Sequence, residues 1–454
     1  MPDFVSLQTA LSGLRAAQAH INTIGQNMAN VDTPGYTRQL VDLTEAMPYQ
    51  SPSGWMGSGV DVSGIHRARD AFLDARVRST SDTQAGLQAR ADLLQSTESV
   101  MGEPSQGISG PLAAVWSAFE NAASSPADTG ARTAALSALD NLATRVRQVA
   151  AGWSQVGGDV RQSLSAAVTD VNSKLGQLAT LNGAIAAASP SGSPNDLLDQ
   201  RDLLLDQLAT EAGATSILGT DGTARVVIGG LSLVNGTSAS PLTLQAGGTL
   251  ADPSGLTAAA GGTIGGYQTF LSSDLPAYQA RLDSFATDLA TALNAQHANG
   301  FTPAGQPGGP LLTYNASAAA ATLSAAITDP SQLALSSAAG PPFPTYNGVN
   351  AQALADLRTA PAASGGTLSL GGALQSLVTD LAATTSNVVG TAQSQSSLLQ
   401  SMQSARDGSQ GVSIDEEMTN MMEAQRAYQA AARVMTMVDE SLDTLVNRTG
   451  LAGR

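Results

Sequence analysis

The chain has 454 residues, a formal net charge of −16 and no cysteine; 42% of it is hydrophobic, only 4% aromatic and 13% charged. That length sets a prior of about two to four domains, and the missing cysteines exclude disulfides, thiolate metal sites and cysteine nucleophiles. The acidic balance, with a basic side that is all arginine apart from Lys174, argues against nucleic acid and anionic membranes as partners.

The N-terminus lacks the basic, apolar and small-residue stages of a cleaved signal peptide, and no stretch reaches the roughly 18 apolar residues of a membrane span. Cytoplasmic residence or export without a cleaved signal is expected. Residues 4–30 predict an amphipathic helix about 40 Å long. Leu7, Leu14, Ile21 and Met28 recur every seven residues, and Leu11 and Ile24 fill the other half of the stripe. A repeat of 3.5 residues marks a seam that faces another helix. The segment "ANVDTPGYTRQ" at 29–39 then stops the helix. Pro34 suits the first corner of a type II turn and Gly35 the positive φ of the second. Asn30, Thr33, Pro34, Gly35 and Tyr36 are therefore the expected hinge, with Tyr36 anchoring against the body. An extended strand is expected to follow.

Residues 46–66 read as loop with one short strand near Gly59–Ile65. Helical patterns run from Arg67 to Met101, from Gly110 to Ala123, and over 128–188 with a break expected at Gly157-Gly158. The segment "NDLLDQRDLLLDQLATEAG" from Asn195 is a compact helix, capped by Asn195 or Asp196 and stopped at Gly213. Its Asp196, Asp199, Asp202 and Asp206 share a face, and Arg201 and solvent are the expected partners. Residues 214–262 turn β-rich, with a hairpin signal at Asp221-Gly222. The glycines of "GGTIGGYQ" read as flexible turn. Helix returns over 266–299, and 300–368 is irregular with a short helix near 350–357. Two last helices, 370–406 and 413–449, flank "RDGSQG".

In the last helix Ser413 and Glu416 form a capping box, and Asp415, Glu416 and Glu417 complement the helix dipole. Ile414, Met421, Tyr428, Met435 and Leu442 again stand seven apart, with Met418, Ala432 and Val446 on the alternate positions. Methionine adapts to repeated, imperfect helix contacts. The three histidines, His20, His66 and His297, are far apart in sequence and carry no metal-ligand spacing. No phosphate loop, nucleophile elbow or dinucleotide fingerprint is present, so no catalytic, cofactor or metal residues are expected and the chain reads as a non-enzyme.

"ANVDTPGYTRQ" resembles the N-terminal motif of the bacterial flagellar rod, hook and hook-associated proteins through Ala29, Asn30, Thr33, Pro34, Gly35, Tyr36 and Arg38. "GSGVDVSGIHRARDAFLDARVR" resembles that family's second motif through Gly59, Val60, Val62, Ile65, Arg67, Asp70, Phe72 and Leu73. "NDLLDQRDLLL" at 195–205 and "GVSIDEEM" at 411–418 are similar to the hook-associated branch at the hook–filament junction. Ala431 and Arg433, where hook and rod proteins carry Asn and Lys, lean the same way. The resemblance implies a structural subunit, secreted through the flagellar type III export apparatus to the outside of the cell. It implies assembly as a ring by pairing of the N- and C-terminal helices, which are disordered in the free subunit. Expected partners are further copies, hook protein, the second junction protein, the export apparatus and, as an optional extra, an export chaperone. Another axial protein of the same apparatus, or a secreted adhesin or enzyme on a helical stalk, are the alternatives.

The expected fold is mainly α with a β-rich insertion, in an elongated, nested, multidomain plan whose terminal helices form a coiled coil. Residues 1–45 and 405–454 form the terminal assembly domain. Residues 46–213 and 263–404 form the helical body, and 214–262 the outer insertion. Residues 300–368 join either the body or the outer domain.

Overall fold

The computed structural model describes residues 2–51, 54–339 and 346–444. Helix α1 (Pro2–Ala29) ends at the expected stop. The Thr33 carbonyl accepts the Tyr36 N–H at 3.1 Å across Pro34-Gly35, with Gly35 at φ +81°, which is the backbone of a type II turn. Four strands follow: β1 (Gln39–Glu45), β2 (Tyr49–Ser51), β3 (Gly54–Met56) and β4 (Val60–Arg67). β1 and β4 pair antiparallel from Gln39↔Arg67 to Glu45↔Val60, and β2 pairs with β3 beyond them. The stretch expected as loop is thus an arm built of two nested hairpins. Gly54 and Gly59, both at positive φ, supply its bends.

Helix α2 (Ala71–Met101) starts later than its periodicity suggests. The Asp70 side chain caps it by accepting the N–H groups of Phe72 and Leu73, and Gly102 ends it in the left-handed region. After α3 (Ser109–Ser124), α4 (Thr129–Ala188) is one unbroken helix of 60 residues, about 90 Å long. The break expected at Gly157-Gly158 does not occur. Gly157 is buried, and a Cβ there would lie 2.7 Å from Leu275 Cδ2, so this glycine makes room for a neighbouring helix. Helix α5 (Asn195–Ala212) begins after Pro194 without a side-chain cap, and Gly213 ends it. Asn195 and Asp196 are its first residues rather than its caps; the Asn195 amide donates to the Ile65 carbonyl at 3.0 Å instead.

The insertion holds an antiparallel sheet in sequence order, β5 (Thr215–Leu218), β6 (Ala224–Ile228), β7 (Leu231–Asn235) and β8 (Ser238–Ala239). A three-stranded sheet follows, formed by β9 (Thr243–Leu244), β10 (Leu250–Ala251) and β11 (Thr257–Ala258). Helix α6 (Gly262–Thr269) leads through a π turn, Phe270–Asp274, into α7 (Leu275–Ala298). The irregular region contains β12 (Leu312–Thr313), α8 (Ala319–Thr322), β13 (Ser324–Ala325) and α9 (Val349–Asp356). Helix α10 (Leu370–Gln410) runs four residues past its expected end, so only Gly411–Ser413 separate it from α11 (Ile414–Asp443).

Two apolar clusters share α4 as a spine. The larger joins α2, α3, the first half of α4, α7, α10 and the irregular region, which contributes Leu311, Leu323, Leu335 and Leu354 among others. Trp153 is fully buried there, and its indole N–H donates to the Thr97 carbonyl at 2.9 Å. The smaller cluster joins the second half of α4, α5, α6 and the β sheets, including Val226, Ile228 and Leu233. Residues 300–368 therefore pack with the helical body rather than with the β insertion. Among the described residues, no helix is long and apolar enough to cross a membrane.

Candidate functional site at the base of the terminal helices

Helices α1 and α11 pack side by side and run antiparallel. The Asn27 amide meets the Glu417 carboxylate at 3.2 Å, and Gly13 lies over Ala431, where a Cβ would stand 3.9 Å from the Ala431 methyl. The line of closest approach is shifted by one position from the bulky heptad. On α1 it follows the buried Ala10, Ala17 and Ile24, with Gly13 between the first two and Asn27 one turn past the last. On α11 it follows Glu417, Ala424, Ala431 and Val438, alternating with the half-buried Met421, Tyr428, Met435 and Leu442. Small residues let two backbones approach, and the larger side chains then flank the line of contact. On α1, Leu7, Leu11, Leu14, Ile21 and Met28 are half-buried flanks of this kind, and only Ile24 of the expected set is buried. Ile414 and Met418 correct the expectation: they are 48% and 51% exposed. Val446 lies outside the described residues.

At the base of the pair, four sequence segments converge. Asn27 is the first hub, with only 1% of its surface exposed. Its amide donates to the Gln39 carbonyl at 3.0 Å, and its Oδ1 accepts the Tyr36 hydroxyl at 2.8 Å and the Gln39 N–H at 2.9 Å. Tyr36 thus ties the turn back to α1, whereas it was expected to anchor on the body. Burial pushes its hydroxyl pKa up, and Asp199, Asp196 and Glu417 add to the shift. Gly35 lies directly against the body, since a Cβ there would lie 3.1 Å from Leu203 Cβ. Within the turn, Thr33 donates from its hydroxyl to Asn30 Oδ1 at 3.1 Å, and the Asn30 amide donates to the Gln26 carbonyl at 3.0 Å.

Arg38 is the second hub. Its Nε donates to Glu417 Oε1 at 2.8 Å, its Nη1 to Glu416 Oε2 at 3.1 Å, and its backbone N–H to the Gln410 carbonyl at 3.0 Å. Ser413 caps α11 as expected, accepting the Glu416 N–H at 3.5 Å. The Glu416 carboxylate goes to Arg38 and not back to Ser413, because a guanidinium is the stronger partner for a carboxylate.

The third hub is α5. Asp199 accepts the Thr37 N–H at 3.2 Å and Arg67 Nη1 at 2.9 Å. Asp202 accepts Arg67 Nη1 at 2.8 Å, Arg69 Nη1 at 2.5 Å and Arg201 Nη2 at 2.8 Å. Asp206 accepts Arg78 Nε at 2.6 Å and Arg406 Nη1 at 2.9 Å. Asp199 and Asp202 are buried, so solvent is not their partner. Arginines from β4, the β4–α2 link and α2 are, together with the expected Arg201, while Arg406 of α10 meets Asp206. The sequence reading left Asn27, Gln39, Arg69, Arg78, Asp199, Asp202, Asp206, Arg406 and Glu417 out of its site set. One signal did point to them: in a chain with only 13% charged residues, oppositely charged residues crowd into the "HRARDAFLDARVR" and "DLLDQRDLLLD" segments.

This arrangement ties four segments together through ion pairs and hydrogen bonds. Each carboxylate is met by guanidinium or amide donors, and no cluster able to hold a metal ion occurs among the described residues. The chemistry suits a joint that sets the angle of a helix pair on a rigid body.

Comparison with known proteins places that joint. Residues 7–37 match the family "Flagella basal body rod protein", and residues 408–448 match "Flagellar basal body rod FlgEFG protein C-terminal". The paired ends and their buried joint are thus those of an axial protein of the bacterial flagellum. Residues 94–312 match "Flagellar hook-associated protein FlgK helical domain". The flagellar hook-associated protein 1 of Bacillus subtilis (strain 168) is 29% identical over 99% of this chain and 99% of its own length. That of Salmonella typhimurium is 32% identical over 66% of this chain and 57% of its own length. The fold is that of a solved structure, the flagellar hook junction protein FlgK from Burkholderia pseudomallei, with a TM-score of 0.67 at 19% identity, covering 75% of this chain and all of that one. Along 99% of its length the chain is thus similar to a flagellar hook-associated protein 1.

Proposed function

We propose that this chain is a structural, non-catalytic subunit of the external flagellum, placed where the hook gives way to the filament. It leaves the cell by the flagellar export apparatus and assembles as a ring. Residues 1–45 and 405–444 form the assembly unit, the helical body stacks around it, and 214–262 faces outward. Further copies of the chain, hook protein and the second junction protein are its neighbours. The observation that carries the reading is the buried joint. It brings the turn at 30–38, the β4–α2 link, α5 and the start of α11 into one polar knot, so the α1–α11 pair leaves the body in a fixed direction. A fixed direction is what a subunit needs if identical copies are to stack their helices around one axis.

Removal of residues 1–30 tests this. The truncated chain should remain folded and soluble yet fail to restore filaments to cells that lack the gene, leaving bare hooks and filament monomers in the medium. Filaments grown on the truncated chain would refute the assembly role of α1.

A further inference from the structure

Two solvent-facing surfaces at the terminal end are complementary to each other. One is a groove of about 660 Å³ between α1, the β1–β4 hairpin and α11. It is lined by small residues, Gly13, Ala16 and Ala17 from α1 with Ala424 and Ala427 from α11, by Leu40, Val41 and Val60 of the hairpin, and by Glu423; Asp42 in the same lining is paired with His66. The other surface is the outer face of α11. At 100° per residue, Met418, Met422, Arg426, Arg433 and Met437 fall within an arc of about 100° opposite Ala424. The three methionines are more than half exposed, and Arg426 and Arg433 are exposed and make no ion pair among the described residues.

We propose that the outer face of α11 in one copy docks into the α1–hairpin–α11 groove of the next copy. This rests on the reading of the chain as a self-assembling subunit and names the surfaces that meet. Long, flexible methionine side chains fit an apolar groove in which glycine and alanine leave depressions between the hairpin's aliphatic residues. Arg426 and Arg433 bring positive charge to a groove edged by the Glu423 carboxylate, and such complementarity sets both partner and register. Groove and face lie on different sides of the same helix pair. The contact is therefore heterologous: each copy offers one free face and one free groove, and repetition leads to a ring or a helix rather than a closed dimer.

The native chain has no cysteine, so single cysteines report the contact directly. Full-length Met422→Cys and His20→Cys proteins are mixed under mild oxidation; His20 lines the groove. The mixture should give a heterodisulfide dimer in clear excess over a mixture of Met422→Cys with Ser254→Cys, a position on the outer insertion. Adding Glu423→Arg to the His20→Cys protein should lower the yield about fivefold, the scale of an exposed charge pair. Adding Arg426→Glu to the Met422→Cys protein should then restore it, an outcome that misfolding of either chain cannot produce. A His20/Met422 yield no higher than the Ser254 control, or a charge swap without rescue, overturns the proposal. Restoration of filaments by the unmodified chain tests the parent reading separately: filaments without the crosslink sink the interface alone.

Discussion

Asp202 shows what the joint costs to break. The residue is 3% exposed, and its carboxylate hydrogen-bonds three guanidiniums, with Arg78 Nη2 a fourth at 3.6 Å. Truncation to alanine would leave Arg67, Arg69 and Arg201 without this partner, and uncompensated buried charge is expensive. Asp202→Ala should lower stability by about 3–5 kcal/mol, read as a fall in the urea midpoint; a loss below about 1 kcal/mol would mean that water reaches the site. Burial pushes the Asp202 carboxyl up, but Arg69, Arg201 and Arg67 outweigh it and hold the group below its ordinary range. A depressed folded value contributes stability that is fully present above the unfolded value of about 3.9. That stability is lost as pH falls through the lower folded value. The gap between wild type and Asp202→Ala should therefore stay constant from neutral pH to about 4 and close below it. At this scale the sequence was only half legible. Helical spacing shows that Asp196, Asp199, Asp202 and Asp206 share a face. Spacing cannot show that arginines more than a hundred positions away fold onto that face, so solvent was the default partner.

Among elements, the α2–α6 crossing makes a similar point. The "GGTIGGYQ" glycines read as flexible turn, yet they open α6 and press it onto α2. A Cβ on Gly266 would stand 2.4 Å from the Gly86 carbonyl oxygen, and one on Gly86 would stand 2.9 Å from the Gly262 carbonyl oxygen. Backbone meets backbone there, and no side chain can rotate aside. Gly266→Ala gains helix propensity worth up to about 1 kcal/mol but must push the helices apart. A net loss of about 1–3 kcal/mol is expected, measured by thermal or urea unfolding; a stabilised variant would show that the crossing yields. The terminal seam teaches the same lesson. The seven-residue repeat in α1 and α11 was legible from its large residues. The line of contact was not, because it runs through Ala10, Gly13, Ala17, Ala424 and Ala431, which carry little pattern. Element existence was legible nearly throughout, since caps, glycine stops and apolar periodicity act locally. The arm of β1 to β4 was harder, because its short strands pair with each other and bury little.

For the molecule as a whole, the nested plan was legible from the shared heptad character of the two chain ends. The contrast in burial between ends and body is the structural addition. The body buries Trp153, Phe119, Phe270 and Leu94 almost completely. Among the described residues the terminal pair buries four alanines, Thr23, Ile24, Asn27 and Glu417. Segments with little apolar burial open first. Limited proteolysis of the full chain, read by mass, should therefore cut within 1–40 and 405–444 before any site between 71 and 404; an equally early cut in the body would overturn this ranking. The joint also has a mechanical meaning. A pull along the axis of the α1–α11 pair reaches the body by two strands of chain at once, residues 30–38 on one side and 410–413 on the other, tied across by Arg38 to Gln410 and Glu417. The two carry tension in parallel. Slack in either is taken up by the other, and the ion pairs beneath are sheared together rather than unzipped one after another.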